Sequence, residues 1–345
     1  MQTSYISTAA LRNQPRYEVQ RLQVEVSDRS RELATSRHAD VGLTLGNDTG
    51  RMVVLRNEVQ LIETLMRSNG TAAARLSVTQ AALSDMRDNA SSLLEALVAL
   101  PPGVQAANLI ELEGLSGLER VADRLNASDG GSYVFGGLNT ADAPFTRYAD
   151  GPQAVVEAAF LARFGMTVGS ATANTISPAD MADFLANDFS LLFDDPGWGT
   201  DWSSASSNNL VSRIAVSQRA TTGTNANEQA IRNVVEGFVM VAGLGLSALS
   251  QDSRDVVVNA ARVLIGQAIS DLAMLQGELG FSENAIERAD QRLILSRNLL
   301  SESIADTEGT DPTEAKVQLD LLTTQLEMSF ALTGQLSRLS ILNYA

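Results

Sequence analysis

The sequence predicts a mainly α-helical protein with a β-rich insert. The architecture is a nested rod of long helices in which the N- and C-terminal helices pair, with a small mixed or β domain in the middle. Three observations predict it. Two long seven-residue apolar series flank the centre of the chain, the centre itself changes to turn-rich composition, and the last helix is apolar around much of its circumference.

Val19, Leu22, Val26 and Leu33 recur at three- to four-residue spacing between charges, which predicts a helix from about residue 15 to 39. Gly42, Gly46 and Gly50 with Asn47 and Asp48 then form a joint. From Met52 to Leu97 two heptad series run in parallel. One is Leu55, Ile62, Asn69, Leu76, Leu83, Ala90 and Leu97; the other includes Met52, Val59, Met66, Ala73, Gln80, Arg87 and Leu94. They predict a long rod-forming helix, bent or restarted near Gly70, where polar residues interrupt the pattern. Pro101, Pro102 and Gly103 close it, and a shorter helix follows to about Ala127.

The character changes at Ser128. Up to Thr224 the chain holds four of its eight prolines, both tryptophans, Gly130-Gly131 and Gly136-Gly137. Short runs such as Ala154–Val156 and Arg213–Val216 read as β-prone pieces, and Trp198 and Trp202 read as the core of the insert. Helical periodicity returns after Asn225, where Glu228 completes a capping-box spacing, and continues to about Leu249. A second long helix begins near Ser253, with Ile265, Leu272, Leu279, Ile286, Leu293 and Leu300 in unbroken heptad step. Its companion positions are mostly small, which suits close helix packing.

After a break at 307–311, Pro312 opens the terminal helix. Leu319, Leu322 and Leu326 lie on one face, and Leu321, Met328, Leu332 and Leu339 widen it beyond what one partner helix covers. Such a helix needs burial in a core, a membrane or an assembly; Glu327 and Arg338 argue against the membrane. The organisation expected is a terminal coiled-coil domain of 1–45 with 306–345, a rod of 46–128 with 225–305, and an outer insert of 129–224. Val19, Leu22, Val26, Leu33, Leu319, Leu322, Leu326, Phe330, Leu336, Leu339 and Leu342 are the expected assembly interface. In the free monomer these segments should be disordered and should fold on assembly, because a lone helix pair buries too little surface.

With 41 acidic against 25 basic residues the formal charge is −16, which argues against nucleic acid as a partner. Lys316 is the only lysine, His38 the only histidine, and there is no cysteine. No catalytic constellation, cofactor site or metal site is expected. His38 has no thiol or second histidine to work with, and the glycine pairs lack a phosphate-binding context. Asp183, Asp188, Asp194 and Asp195 read as solvated acidic surface. The N-terminus lacks a basic-then-apolar secretion signal. The apolar run Gly237–Ser250 is too short to span a bilayer, so membrane insertion is not expected.

Four segments carry a resemblance. Gly131-Ser132-Tyr133-Val134-Phe135-Gly136-Gly137 followed by Pro144-Phe145 resembles the YLFGG…PF signature of bacterial flagellins and their hook-associated relatives. Ser36–Leu43 is similar to the flagellin joint after the first helix, and Ala226-Asn227-Glu228 to the return into the C-terminal helical part. Leu336–Ala345, ending Asn343-Tyr344-Ala345, resembles the close of the hook-filament junction members. The single Asp40 and the start Thr3-Ser4-Tyr5 depart from filament flagellins, which leaves flagellin itself as the alternative. The resemblance implies a non-enzymatic structural subunit, exported by the flagellar type III apparatus to the extracellular flagellum. It also implies self-assembly, with hook-associated protein 1, flagellin and an export chaperone as partners. A coiled-coil adaptor or a type III translocator would share the helices but not this combination of motifs.

Overall fold

The computed structural model describes the backbone of residues 8–342 and the side chains of residue 14 and residues 16–335. In chain order the helices are α1 (Thr8–Thr35), α2 (Val41–Leu45), α3 (Thr49–Val98), α4 (Val104–Leu125), α5 (Pro152–Phe164) and α6 (Pro178–Phe184). They continue with α7 (Gln229–Gly243), α8 (Gln251–Glu308) and α9 (Pro312–Leu342). Strand is confined to two antiparallel hairpins, β1 (Ser128–Asp129) with β2 (Ser132–Tyr133) and β3 (Val211–Ala215) with β4 (Gln218–Thr221). The chain forms two compact units, one through Glu63 and from Ile294 onward, the other Thr64–Leu293.

In the first unit α1 packs along α9. The direction is antiparallel: residues 16–20 share a groove with Phe330 and Thr333, while residues 25–32 share one with 318–325. Helix α1 starts at Thr8 and runs through Pro15, earlier than the periodicity indicates. Proline lacks the N–H that would meet the Leu11 carbonyl, so the turn is weakened without being ended. The two joints that follow α1 and α8 are tied together. His38 N donates to the Glu308 carbonyl at 3.0 Å, Thr310 N to the Ser36 carbonyl at 3.2 Å, and Arg37 bridges Gly309. Ser36 takes the left-handed region at φ 52° to make this exchange. Helix α9 restarts at once, with Thr313 N donating to the Asp311 carboxylate at 2.7 Å, a bond that holds the Asp311 carboxyl below its ordinary range.

In the second unit α3 and α8 run antiparallel. Helix α3 is one continuous element through Gly70, so the bend expected there is absent. The polar residues that interrupt its heptads bond across to neighbouring elements, although Asn69 Oδ1 is buried without a partner. Asn69 is fully buried and donates to Asp290 Oδ1 and the Ile214 carbonyl, at 2.6 and 2.9 Å. Gln80 donates to the Gln276 carbonyl and Arg87 to Gln276 Oε1, both at 2.9 Å. Further along, Arg262 Nε donates to the Leu97 carbonyl at 3.0 Å. The series Ile265, Leu272, Leu279, Ile286 and Leu293 is buried throughout.

Helix α7 turns most of its circumference into the interior and keeps Gln229, Asn233 and Glu236 on one partly exposed stripe. Val234, Val235, Phe238, Val239 and Val241 are fully buried, and glycines let neighbours close on them. A Cβ on Gly117 of α4 would meet Phe238 at 2.1 Å, and one on Gly237 would meet Ile265 at 2.6 Å. The helix begins at Gln229, after Glu228, and not at Asn225; it ends at Gly243, short of Leu249. By length and composition α8 could cross a membrane. Its residues Val257, Ala261, Ile265, Ala268 and Leu272 instead face this interior, the ordinary state of a long core helix.

The insert is built on aromatic rings. Trp198 and Trp202 stack at 5.9 Å with 10° between planes, and contacts continue through Phe193, Phe189 and Phe184 to Phe160. Ala154–Val156 falls in α5, because the run is flanked by Pro152 at a helix start and by Gly165 in the left-handed region at its end. Arg213–Ala215 is strand.

Candidate assembly interface

Helix α9 has two apolar faces, and α1 covers one. Ala315 is buried; Leu319, Leu322 and Leu326 are half-buried on the same side. From α1, Leu22 is buried at 4 % exposure, while Val19, Val26 and Leu33 are half-buried. Phe330 is half exposed and lines a groove with Val19. The side chains of Leu336, Leu339 and Leu342 lie outside the described residues.

The opposite face is bare. At about 100° per residue, Val317, Leu321, Met328 and Leu332 fall within roughly 60° of arc, turned away from the Leu319–Leu326 face. Each is between 55 % and 60 % exposed. Four apolar side chains thus line one exposed face of α9 for more than four turns. Leu321, Met328 and Leu332 had already stood out in the sequence by widening the apolar arc, and the fold turns that excess into a separate stripe. Leu321 also lines a 440 Å³ groove with Leu43 and Leu322, rimmed by Glu25, Asp28 and Asp40. Leu43 is 83 % exposed in the short helix α2.

A clasp of charges holds the base of this pair, and no periodicity announces it. The Glu308 carboxylate is buried and accepts from Arg37 at 2.5 Å and Arg56 at 2.6 Å. Glu32, also buried, accepts from Arg29 and from Ala39 N, with His38 at 3.7 Å. These bonds hold Glu32 below the usual carboxylate range against the desolvation that opposes it. His38 is thus a joint residue beside the buried Glu32 carboxylate.

In the second unit, the segments on either side of the insert meet. Ala226 N donates to the Phe135 carbonyl at 2.9 Å, and Gly136 pairs with Asn225. Val134 and Phe135 are fully buried. The glycines are required by close backbone approach, since a Cβ on Gly137, at φ 59°, would sit 2.1 Å from the Ser206 carbonyl oxygen. Arg75 of α3 donates to the Tyr133 and Val134 carbonyls at 2.6 and 3.1 Å, pinning the turn to the rod helix. Phe145 packs on both tryptophans, with Asn126 bonded to both its backbone groups.

The family models agree with this geometry. That for the bacterial flagellin N-terminal helical region matches residues 6–140, and that for the C-terminal helical region matches 263–345. The chain belongs to the flagellin family. It is a structural protein of the bacterial flagellum, and the two matched regions are those that contain the α1–α9 pair and most of the α3–α8 rod. Among solved structures, this flagellin-family chain is similar to a protein from Vibrio parahaemolyticus assigned as a flagellar hook-associated protein. The TM-score is 0.52 at 12% identity, over 76% of this chain and 97% of that chain. It is likewise similar to FlgL of Bacillus cereus, with a TM-score of 0.50 at 12% identity, over 73% of this chain and 99% of that chain. At such identity the likeness is one of fold. No curated protein matches the chain significantly.

Proposed function

We propose that this flagellin-family chain is the hook-filament junction subunit, a ring component between hook-associated protein 1 and the first flagellin. The observation that carries its assembly role is the bare stripe of Val317, Leu321, Met328 and Leu332, opposite the face that α1 already covers. One α1–α9 pair cannot bury it, so neighbouring subunits must. Closing apolar neighbours around it makes about 25 cal/mol per Å² available. Residues 1–45 with 306–345 would form the inner layer, 46–128 with 225–305 the rod around it, and 129–224 the outer surface. The subunit reaches the cell exterior through the flagellar type III apparatus, held by an export chaperone beforehand.

The junction reading over the filament reading rests on the likeness of the Leu336–Ala345 motif to the junction members and on the lone Asp40 of the joint. A deletion strain tests it. Hooks without filaments, with flagellin shed into the medium, are expected; a normal filament sinks the junction role, and hooks with normal flagellin retention but a short filament favour flagellin itself. Assembly is tested separately with Leu321→Glu/Leu332→Glu. This variant should be secreted, fold as a monomer and fail to support filaments, and normal swimming would refute the stripe.

A further inference from the structure

The β3–β4 hairpin concentrates positive charge in a way that costs the free subunit stability. Arg213 and Arg219 are directly opposed across the two strands, a like-charge pair that opposes hairpin formation. Beside the hairpin, Arg288 and Arg292 stand one turn apart on α8, again like charges at an unfavourable spacing. Arg292 donates to Gln218 Oε1 at 2.8 Å, which joins the two pairs into one patch. All four arginines are exposed, and among the described residues none forms an ion pair. Arg213 bonds only carbonyls of its own turn, from Ala215 and Val216. The hairpin is a rigid platform: Ile214 is fully buried and its carbonyl is held by Asn69. Val211 and Val216, both more than half exposed, lie among the arginines.

The chain also carries the complement. Between Arg163 and Arg213 there is no basic residue, while Asp180, Asp183, Asp188, Asp194, Asp195 and Asp201 all fall in that interval. Asp183 and Asp188 pair with Arg163, and Asp195 with Arg232, so among the described residues Asp180, Asp194 and Asp201 are the aspartates there without an ion pair. Leu191, 62 % exposed, stands among them as the valines stand among the arginines. We infer that the Arg213, Arg219, Arg288 and Arg292 patch docks on the aspartate-rich 180–201 surface of a second copy of this chain. Two different patches meeting is a heterologous contact, which propagates around a ring or along a helix instead of ending at a dimer. The inference rests on the assembly reading above and adds a second contact, made by the outer surface and independent of the α9 stripe.

The test is sedimentation of the full-length chain with charge-reversed variants. Arg213→Glu/Arg219→Glu should weaken self-association roughly tenfold or more at low salt, as should Asp194→Arg, since each places like charges face to face. Mixing the two variants should restore association, because each then offers the charge the other lacks. Raising salt from about 50 to about 500 mM should weaken the wild type and leave the variants unchanged. The single variant Arg219→Glu should not lower Tm, since it gives Arg213 an opposite charge across the strands; this separates lost docking from lost folding. Wild-type association by either charge variant, or no rescue on mixing, overturns the proposal. So does a wild-type chain that stays monomeric while these arginines bind heparin. If charge reversal has no effect but Leu321→Glu/Leu332→Glu abolishes assembly, only this inference fails; if neither has an effect, the assembly reading fails with it.

Discussion

Asn69 Nδ2 lies 2.6 Å from Asp290 Oδ1 at a position where the heptads of α3 call for an apolar residue, and the same amide group reaches the Ile214 carbonyl. One polar side chain thereby fixes the register of two long helices and seats a hairpin on both. A buried polar residue at a heptad core position is a known device for setting register at some expense of stability. Asn69→Leu should destabilise the second unit by about 1–3 kcal/mol, because it removes a partner from a half-buried carboxylate and from the carbonyl of the buried Ile214. Adding Asp290→Leu should recover part of the loss. Denaturant unfolding of the two single variants and the double variant measures this, and strictly additive losses would show the pair is not coupled.

The Glu308 clasp should be worth less than its burial suggests. Glu308 is 1% exposed, yet Arg37 and Arg56 are 47% and 49% exposed, so both guanidinium groups can turn to water if the carboxylate is removed. Glu308→Gln should therefore cost about 1–2 kcal/mol, below the loss for a fully enclosed pair. Its clearer signature should be faster proteolysis at residues 36–48. Protection equal to wild type there would show that the backbone exchange alone holds the joints.

Glycine replacements should split by sign. Gly117→Ala drives a methyl to within 2.1 Å of Phe238 and should cost about 1–3 kcal/mol through overpacking. Gly70→Ala meets nothing within 4 Å in the middle of α3 and should stabilise by about 0.5–1 kcal/mol. Thermal unfolding of both, side by side, checks the packing of α4 on α7 against helix propensity alone.

Glu236 gives the molecule a pH dependence. Burial in α7, with Asp194 nearby, raises its carboxyl from 4.5 to about 7. The folded chain thus holds this proton where the unfolded chain releases it. Its contribution favours folding fully below 4.5 and is lost as pH rises through about 7. Glu236→Gln should remove that dependence and raise stability at about pH 8 by ~1–3 kcal/mol. Equal Tm for wild type and variant at about pH 8 would show that the carboxyl is not strained there.

Much of the fold was legible because heptads are long-range signals. Ile265 through Leu293 never miss a step, and a helix so written has few alternatives. The apparent break at Asn69-Gly70 misled for a physical reason: the Asn69 NH2 group donates to residues 145 and 221 positions away, which no local pattern encodes. Ala154–Val156 looked like strand because three residues cannot distinguish periods, and Pro152 decided for helix. The α9 stripe was legible as an excess of leucine, but its separation from the covered face required α1 to be in place. The clasp was not legible, since Glu308, Arg37 and Arg56 are ordinary charges until two joints bring them together.

The first unit is assembled from residues through Glu63 and from Ile294 onward, with nothing from the two hundred and more residues between. Closing a loop of that length must precede any reward from α1 meeting α9, whereas most of the second unit can gather around α4, α7 and the insert without it. Residues of α1 therefore wait for those of α9, which are made much later in synthesis, before they have their partner to hold. The connectivity thus favours an order in which the second unit gathers first and the α1–α9 pair closes afterwards.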